Sequence, residues 1–139
     1  MGVQERRLTI PAVLEELSVA YDFVADAART AGLDDEAVYR CHLSVEEVCT
    51  NVIEHGYLYS GQGKTIDIVC REYPDRFTIT VSDYAPPFDP LSLPEPDPSV
   101  PLSERKRGGW GIHFVRQYMD EVAYRYSNNK NHLVMIKFQ

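Results

Sequence analysis

Three groups of residues have types and spacings that could hold parts of a ligand: a carboxylate with a carboxamide, a carboxylate on an apolar face, and a glycine-rich segment after basic residues. Glu47 and Asn51 lie four apart in a stretch with helical periodicity. A carboxylate and a carboxamide one helical turn apart can reach the same ligand. Glu46, Thr50, Glu54 and His55 fall on the same half of the wheel at ~100° per residue, and the valines fall on the other. A merely solvated helix face has the same pattern, so both readings stand on the residues alone. Asp83 ends the run Phe77-Thr78-Ile79-Thr80-Val81-Ser82-Asp83. Side chains alternate along a strand, which places Asp83 on the apolar face with Phe77, Ile79 and Val81. A carboxylate there needs a hydrogen-bonding partner or a ligand, unless the strand has already ended and Asp83 only opens a loop. An apolar slot with one acceptor at its base suits a purine amino group. Third, Gly108-Gly109-Trp110-Gly111 follows Arg105, Lys106 and Arg107 and opens a helical pattern. Free N–H groups and the positive dipole end of a helix attract phosphate there, and glycine lets the backbone come close. A flexible turn is the plain alternative.

Other motifs fail. Gly63-Lys64-Thr65 looks like the end of a phosphate-binding P-loop, but Leu58 stands where that motif requires glycine, and a strand rather than a helix follows. The H-R-D and D-F-G motifs of ordinary protein kinases and the G-x-S-x-G of hydrolases are absent. Cys41, Cys49 and Cys70 form no C-x-x-C, and the four histidines show no metal-ligand spacing with them. Reduced, partly buried thiols are expected.

The elements that must position these groups follow from periodicity. Residues 5–10 read as a strand, with Pro11 at a helix start. Leu14, Leu17, Tyr21, Val24 and Ala28 recur at helical spacing until Gly32. A second helix starts near Asp34 or Asp35, carries Val38, Cys41, Val45, Val48 and Val52 as its apolar stripe, and ends at Gly56. The period then changes to two. Ile66, Ile68 and Cys70, then Phe77, Ile79 and Val81, flank a turn at Pro74-Asp75, which predicts an antiparallel hairpin. Residues 84–107 hold seven of the nine prolines and read as one long loop of the functional or disordered kind. The glycine motif opens a third helix with Ile112, Val115, Met119 and Val122. Strands around 121–127 and 132–138, joined by Asn-rich residues, close the chain. The fold class is α+β: a two-layer α/β sandwich, its largely antiparallel sheet covered on one face by about three helices.

Bulk properties narrow the function. A chain of 139 residues is expected to form one domain, 1–139. No apolar run approaches the ~20 residues of a membrane span, and the N-terminal residues lack the apolar core of a signal peptide. A cytoplasmic protein without membrane contact is expected. The formal net charge of -7 works against direct nucleic-acid binding.

Glu47-Val48-Cys49-Thr50-Asn51 with His55-Gly56-Tyr57, then Asp83-Tyr84-Ala85-Pro86-Pro87-Phe88-Asp89-Pro90, then Gly108-Gly109-Trp110-Gly111 resemble, in order, the N, G1 and G2 boxes of the GHKL ATPase superfamily. Each box alone is a weak signal; three in order are strong. Within that superfamily the E-x-x-x-N…H-G-Y form and the P-F-D-P are most similar to the bacterial serine kinases that act as anti-sigma factors.

That resemblance implies the Bergerat ATP-binding fold, with ATP and Mg2+ as cofactors and an ATP lid near 86–107. It makes Asn51 the residue that holds Mg2+, and Glu47 the one that positions or deprotonates the acceptor hydroxyl. Asp83 would take the adenine amino group, Gly109 and Gly111 would cradle phosphates, and Arg107 would meet the terminal phosphate. Ala85, Phe88, Arg105, Gly108 and Trp110 would complete the nucleotide site. Ala85 stands where glycine is usual, and it is expected to restrict the backbone and bear on ATP affinity. The implied function is an ATP-dependent serine/threonine protein kinase that phosphorylates a STAS-type anti-anti-sigma factor and sequesters a sigma factor. Dimers are implied too. One alternative is a nucleotide-gated protein-binding switch without kinase activity. Another is the ATPase part of a histidine kinase, disfavoured here because the sequence shows no dimerisation helix with a phosphoacceptor histidine.

Overall fold

The computed structural model describes residues 3–92, 99 and 109–139; the side chains of 109–111 are outside the description. The expected α+β sandwich is present. Five strands, β1 (Gln4–Pro11), β2 (Thr65–Glu72), β3 (Arg76–Asp83), β4 (Glu121–Ser127) and β5 (Lys130–Phe138), pair antiparallel throughout in the order β1-β2-β3-β5-β4. Three helices, α1 (Leu17–Thr30), α2 (Asp35–Asn51) and α3 (Gly109–Tyr118), share one core with the sheet.

Local chemistry explains where the elements begin and end. Asp34 caps α2, its carboxylate accepting from the Ala37 N–H at 2.8 Å, and Asp35 and Glu36 add negative charge at the positive dipole end. Gly32 stops α1 with φ of 93°. Its N–H donates to the Arg29 carbonyl and the Leu33 N–H to the Ala28 carbonyl, the paired bonds of a Schellman motif. Asn128 and Asn129 both adopt positive φ, as the two-residue turn joining β4 to β5 requires. Pro74 and Asp75 make the expected β2–β3 turn, closed by the Tyr73 N–H to the Arg76 carbonyl.

The buried faces match the periodicities. Val38, Cys41, Val45 and Val48 of α2 pack over Ile66, Ile68, Ile79, Val81 and Met135 of the sheet. All three cysteines are buried and unpaired with one another; burial pushes each thiol up to about 12. Beyond Asn51 the second helix continues to Gly56 as a π-turn, in which the Tyr57 N–H reaches the Val52 carbonyl. Such turns insert one residue and re-aim the chain.

Some boundaries differ from expectation. Pro11 ends β1 rather than starting a helix, and a 3-10 turn, Leu14–Glu16, precedes α1. That turn shifts the phase and leaves Leu14 about half exposed. Val122 lies in β4, because α3 ends at Tyr118 and two residues then reverse the chain. β5 starts at Lys130, two residues early. Of the long loop, residues 93–98 and 100–108 lie outside the described residues, and Pro90–Ser92 form a 3-10 turn.

One glycine is fixed by space alone. A Cβ on Gly61 would lie 2.1 Å from the Ala12 carbonyl oxygen, where the loop after the π-turn seals the end of β1 through the Ala12 N–H to the Lys64 carbonyl. Backbone must move to accept a methyl group. Gly61→Ala is therefore expected to cost about 2 kcal/mol, typical of overpacking, and to lower the melting temperature by roughly 5–10 °C. Thermal unfolding followed by circular dichroism checks it; an unchanged midpoint contradicts the contact.

Candidate functional site

A cleft opens between the C-terminal part of α2 and the inner face of β3 and β5. Val48, Asn51, Val52 and Gly56 line one wall, Val81, Asp83, Leu133 and Asn131 the floor, and Pro86, Phe88, Pro90 and Tyr124 the rest. The walls are mainly apolar, with few polar groups, which is the usual make-up of a small-molecule site.

Asp83 sits on the inner face as its parity requires, paired with Ile66 on one side and Asn131 on the other, and is 6% exposed. Burial raises its carboxyl above the ordinary aspartate range, while hydrogen bonds from Asn131 and the Ala85 N–H pull the other way. Both bonds go to Oδ1: Ala85 N at 2.9 Å and Asn131 Nδ2 at 3.0 Å. Among the described residues Oδ2 receives none, so it is the oxygen available to a ligand donor.

Asn51 occupies the last turn of α2 at 9% exposure, and its side-chain Oδ1 is buried without a hydrogen-bond partner. A buried amide oxygen left in that state is costly unless a ligand or ion completes it. Glu47 lies one turn earlier, half-buried and outside the lining of the cleft. Burial first, then the charges of Glu46 and Glu54, raise its carboxyl above the ordinary glutamate range. That raises its affinity for a proton, as an acid–base residue needs.

Phe88 reaches the cleft, and Ala85 is buried behind it at 3% exposure. Ala85 is not among the positive-φ residues, so its backbone conformation carries no strain from its Cβ. The compensating glycine is Gly56: a Cβ there would come within 3.3 Å of the Ala85 methyl. The backbone of Gly109, Trp110 and Gly111 forms the first turn of α3. Arg105, Arg107 and Gly108 lie outside the described residues.

The sequence reading assigned no role to three residues that the structure makes central. Asn131 hydrogen-bonds to Asp83 and to the loop that follows it. Tyr124 donates to the Asn131 Oδ1 at 2.5 Å. Tyr57, 5% exposed, donates to the Thr65 carbonyl at 2.9 Å and accepts the Tyr84 N–H at 2.8 Å. Its hydroxyl thus joins the exit of the π-turn to the start of β2 and the end of β3. Tyr57 stood inside a motif already singled out. For Asn131 the signal was parity, since Leu133 and Met135 face the core and position 131 must do so too.

The profile of the histidine kinase-like ATPase domain matches residues 10–137. The serine-protein kinase RsbW of Halalkalibacterium halodurans is 30% identical over 122 residues, covering 85% of this chain and 74% of that protein. The serine-protein kinase RsbW of Bacillus velezensis is 26% identical over 136 residues, 95% of this chain and 75% of that one. The crystal structure of the RsbU and RsbW domains of Rv1364c from Mycobacterium tuberculosis superposes with a TM-score of 0.68 at 12% identity. This chain is matched over 97% of its length and spans 32% of that longer chain, so the likeness is one of fold. Among the described residues no helix is long and apolar enough to cross a membrane.

The Tyr57 hydroxyl offers a direct check on how the cleft is framed. Tyr57→Phe leaves the part-buried Thr65 carbonyl and the Tyr84 N–H each short of a partner, and is expected to cost about 1 kcal/mol. Urea unfolding should show a lower midpoint with an unchanged slope. A midpoint equal to that of the parent would mean the hydroxyl bridges nothing.

Proposed function

The chain belongs to the histidine kinase-like ATPase family, and from that premise we propose that it is an ATP-dependent serine/threonine protein kinase of the anti-sigma-factor type. The family brings ATP binding. The observation that most supports a place for it is the cleft lined by both the buried Asp83 and Asn51, whose Oδ1 is buried without a hydrogen-bond partner.

In this reading residues 1–139 act as one ATP-binding domain. Asp83 Oδ2 accepts the adenine amino group, with Ala85 and Phe88 beside the base. Residues near 86–107 form the lid, and Arg105, Gly108, Gly109, Trp110 and Gly111 hold the phosphates with Arg107 at the terminal one. The chain fits Mg2+ as well. A hard cation takes amide carbonyl oxygens, and the buried Asn51 Oδ1 is one without a partner, so Asn51 would hold the ion. When bound, Mg2+ neutralises charge on the phosphates.

Glu47 performs the proton chemistry. It takes the proton of a serine or threonine hydroxyl as that oxygen bonds the terminal phosphorus, and the bond from phosphorus to the bridging oxygen breaks to leave ADP. Such transfer is mainly positioning and charge stabilisation. Raised proton affinity suits Glu47 to the task. The protein substrate is a STAS-type anti-anti-sigma factor, and the sequestered partner is a sigma factor. The acidic surface, with net charge -7, favours a basic partner. The protein acts in the cytoplasm, as a homodimer.

The test is transfer of labelled phosphate from ATP to a purified STAS-type partner. Glu47→Gln should bind Mg-ATP as the parent does and lose transfer by about 10²-fold or more. Normal transfer by that variant removes Glu47 from the chemistry. Binding of ATP with no transfer by the parent itself would favour a nucleotide-gated switch.

A further inference from the structure

Asn131 makes an unusual number of hydrogen bonds for one side chain, and all but the one to Ala85 go to residues that line the cleft. Its Nδ2 donates to Asp83 Oδ1 at 3.0 Å, the Ala85 carbonyl at 3.0 Å and the Pro86 carbonyl at 3.2 Å. Its Oδ1 accepts from the Phe88 N–H at 3.1 Å and the Tyr124 hydroxyl at 2.5 Å. Chemistry fixes which end of the amide is which. The Phe88 N–H can only donate, so Oδ1 must face it, and the three oxygens on the other side can only accept from Nδ2. Asn131 is 7% exposed, so a partly satisfied amide would be heavily penalised there. The amide has two N–H groups for three acceptors, so one N–H is shared between neighbouring oxygens, while the orientation of the amide itself is fixed.

We infer that Asn131 is a positioning residue that sets base selectivity, by turning the Asp83 carboxylate so that Oδ2 alone meets the amino group of adenine. Both hydrogen bonds to Asp83 fall on Oδ1, one from Asn131 and one from the Ala85 N–H of the turn that follows. Rotating the carboxylate would break both in a buried site. The same amide ties the Ala85, Pro86 and Phe88 backbone, which carries the wall of the cleft, to β5. Tyr124, from the edge strand β4, holds Asn131 in place through its hydroxyl. The acceptor and the wall beside it are thus set by one side chain from the opposite end of the sequence.

This inference rests on the reading of Asp83 as the adenine acceptor, and the experiment separates the two. Calorimetric titration compares Mg-ATP with the magnesium salt of purine riboside triphosphate, which carries hydrogen in place of the 6-amino group. The parent should prefer ATP by about 10- to 100-fold, the range of one charge-assisted hydrogen bond. Asn131→Asp has the same shape and keeps the acceptor towards Phe88 and Tyr124, but sets an oxygen against Asp83. It should weaken ATP and bring the ratio of the two affinities close to one. Tyr124→Phe, a smaller change that keeps the test alive if Asn131→Asp fails to fold, should lower the ratio at least threefold. Gly61→Ala, destabilised elsewhere, should keep the parent's ratio. A folded Asn131→Asp or Tyr124→Phe with the parent's ratio overturns the positioning role. A parent that does not distinguish the two nucleotides overturns the adenine reading of Asp83 and, with it, this inference.

Discussion

A carboxylate buried at the end of an apolar sheet face is the constraint around which the cleft is built. Ionised, Asp83 loses hydration that must be replaced, and two neutral donors, the Ala85 N–H and the Asn131 amide, replace part of it. Neither donor brings a full charge, so the carboxylate keeps an unmet demand at Oδ2 that a ligand's amino group can supply. A cation in the same place would quench that demand. The arrangement keeps the site stable enough to exist and incomplete enough to bind.

Geometry on the helix side answers that floor. The π-turn after Asn51 changes the direction of the chain just past a residue that lines the cleft. Tyr57 then fastens the turn to β2 and to the end of β3, and Gly56 leaves room for the Ala85 methyl. Farther along, the close approach of Gly61 to Ala12 seals the loop against β1. The two sides of the cleft are thereby tied by side-chain and backbone bonds at the edge of the hydrophobic core. Glu47, one turn back on α2, occupies a separate position outside the lining, where burial first and then its carboxylate neighbours raise its proton affinity.

Much of this was legible in the residues because it depends on local periodicity. Alternation from Phe77 to Asp83 places a carboxylate on the inner face; helix periodicity sets Asn51 on the half of the wheel away from the valines, and the structure buries it at the edge of that stripe, beside Val48 and Val52 in the cleft. What periodicity could not supply was pairing. Asn131 meets Asp83 only because β5 lies beside β3 in one register, a contact between residues 48 positions apart, and alternation says nothing of which strands are neighbours. Val122 was misplaced for a related reason. Spacings of three and four ran on through the short connection after Tyr118, where the chain had already changed from helix to strand. A motif position taken alone says nothing of the space around Ala85, which a glycine 29 residues earlier, Gly56, leaves open.

The account turns on Asp83 as the acceptor for adenine, and calorimetric titration of Mg-ATP into the parent and Asp83→Asn tests it most directly. Asparagine keeps the shape but replaces one acceptor oxygen with a donor and removes the charge. Saturable binding by the parent, weakened about 10-fold or more in a folded Asp83→Asn, is the predicted result. Equal affinity in the two proteins would contradict the account, since the buried carboxylate would then face no part of the nucleotide.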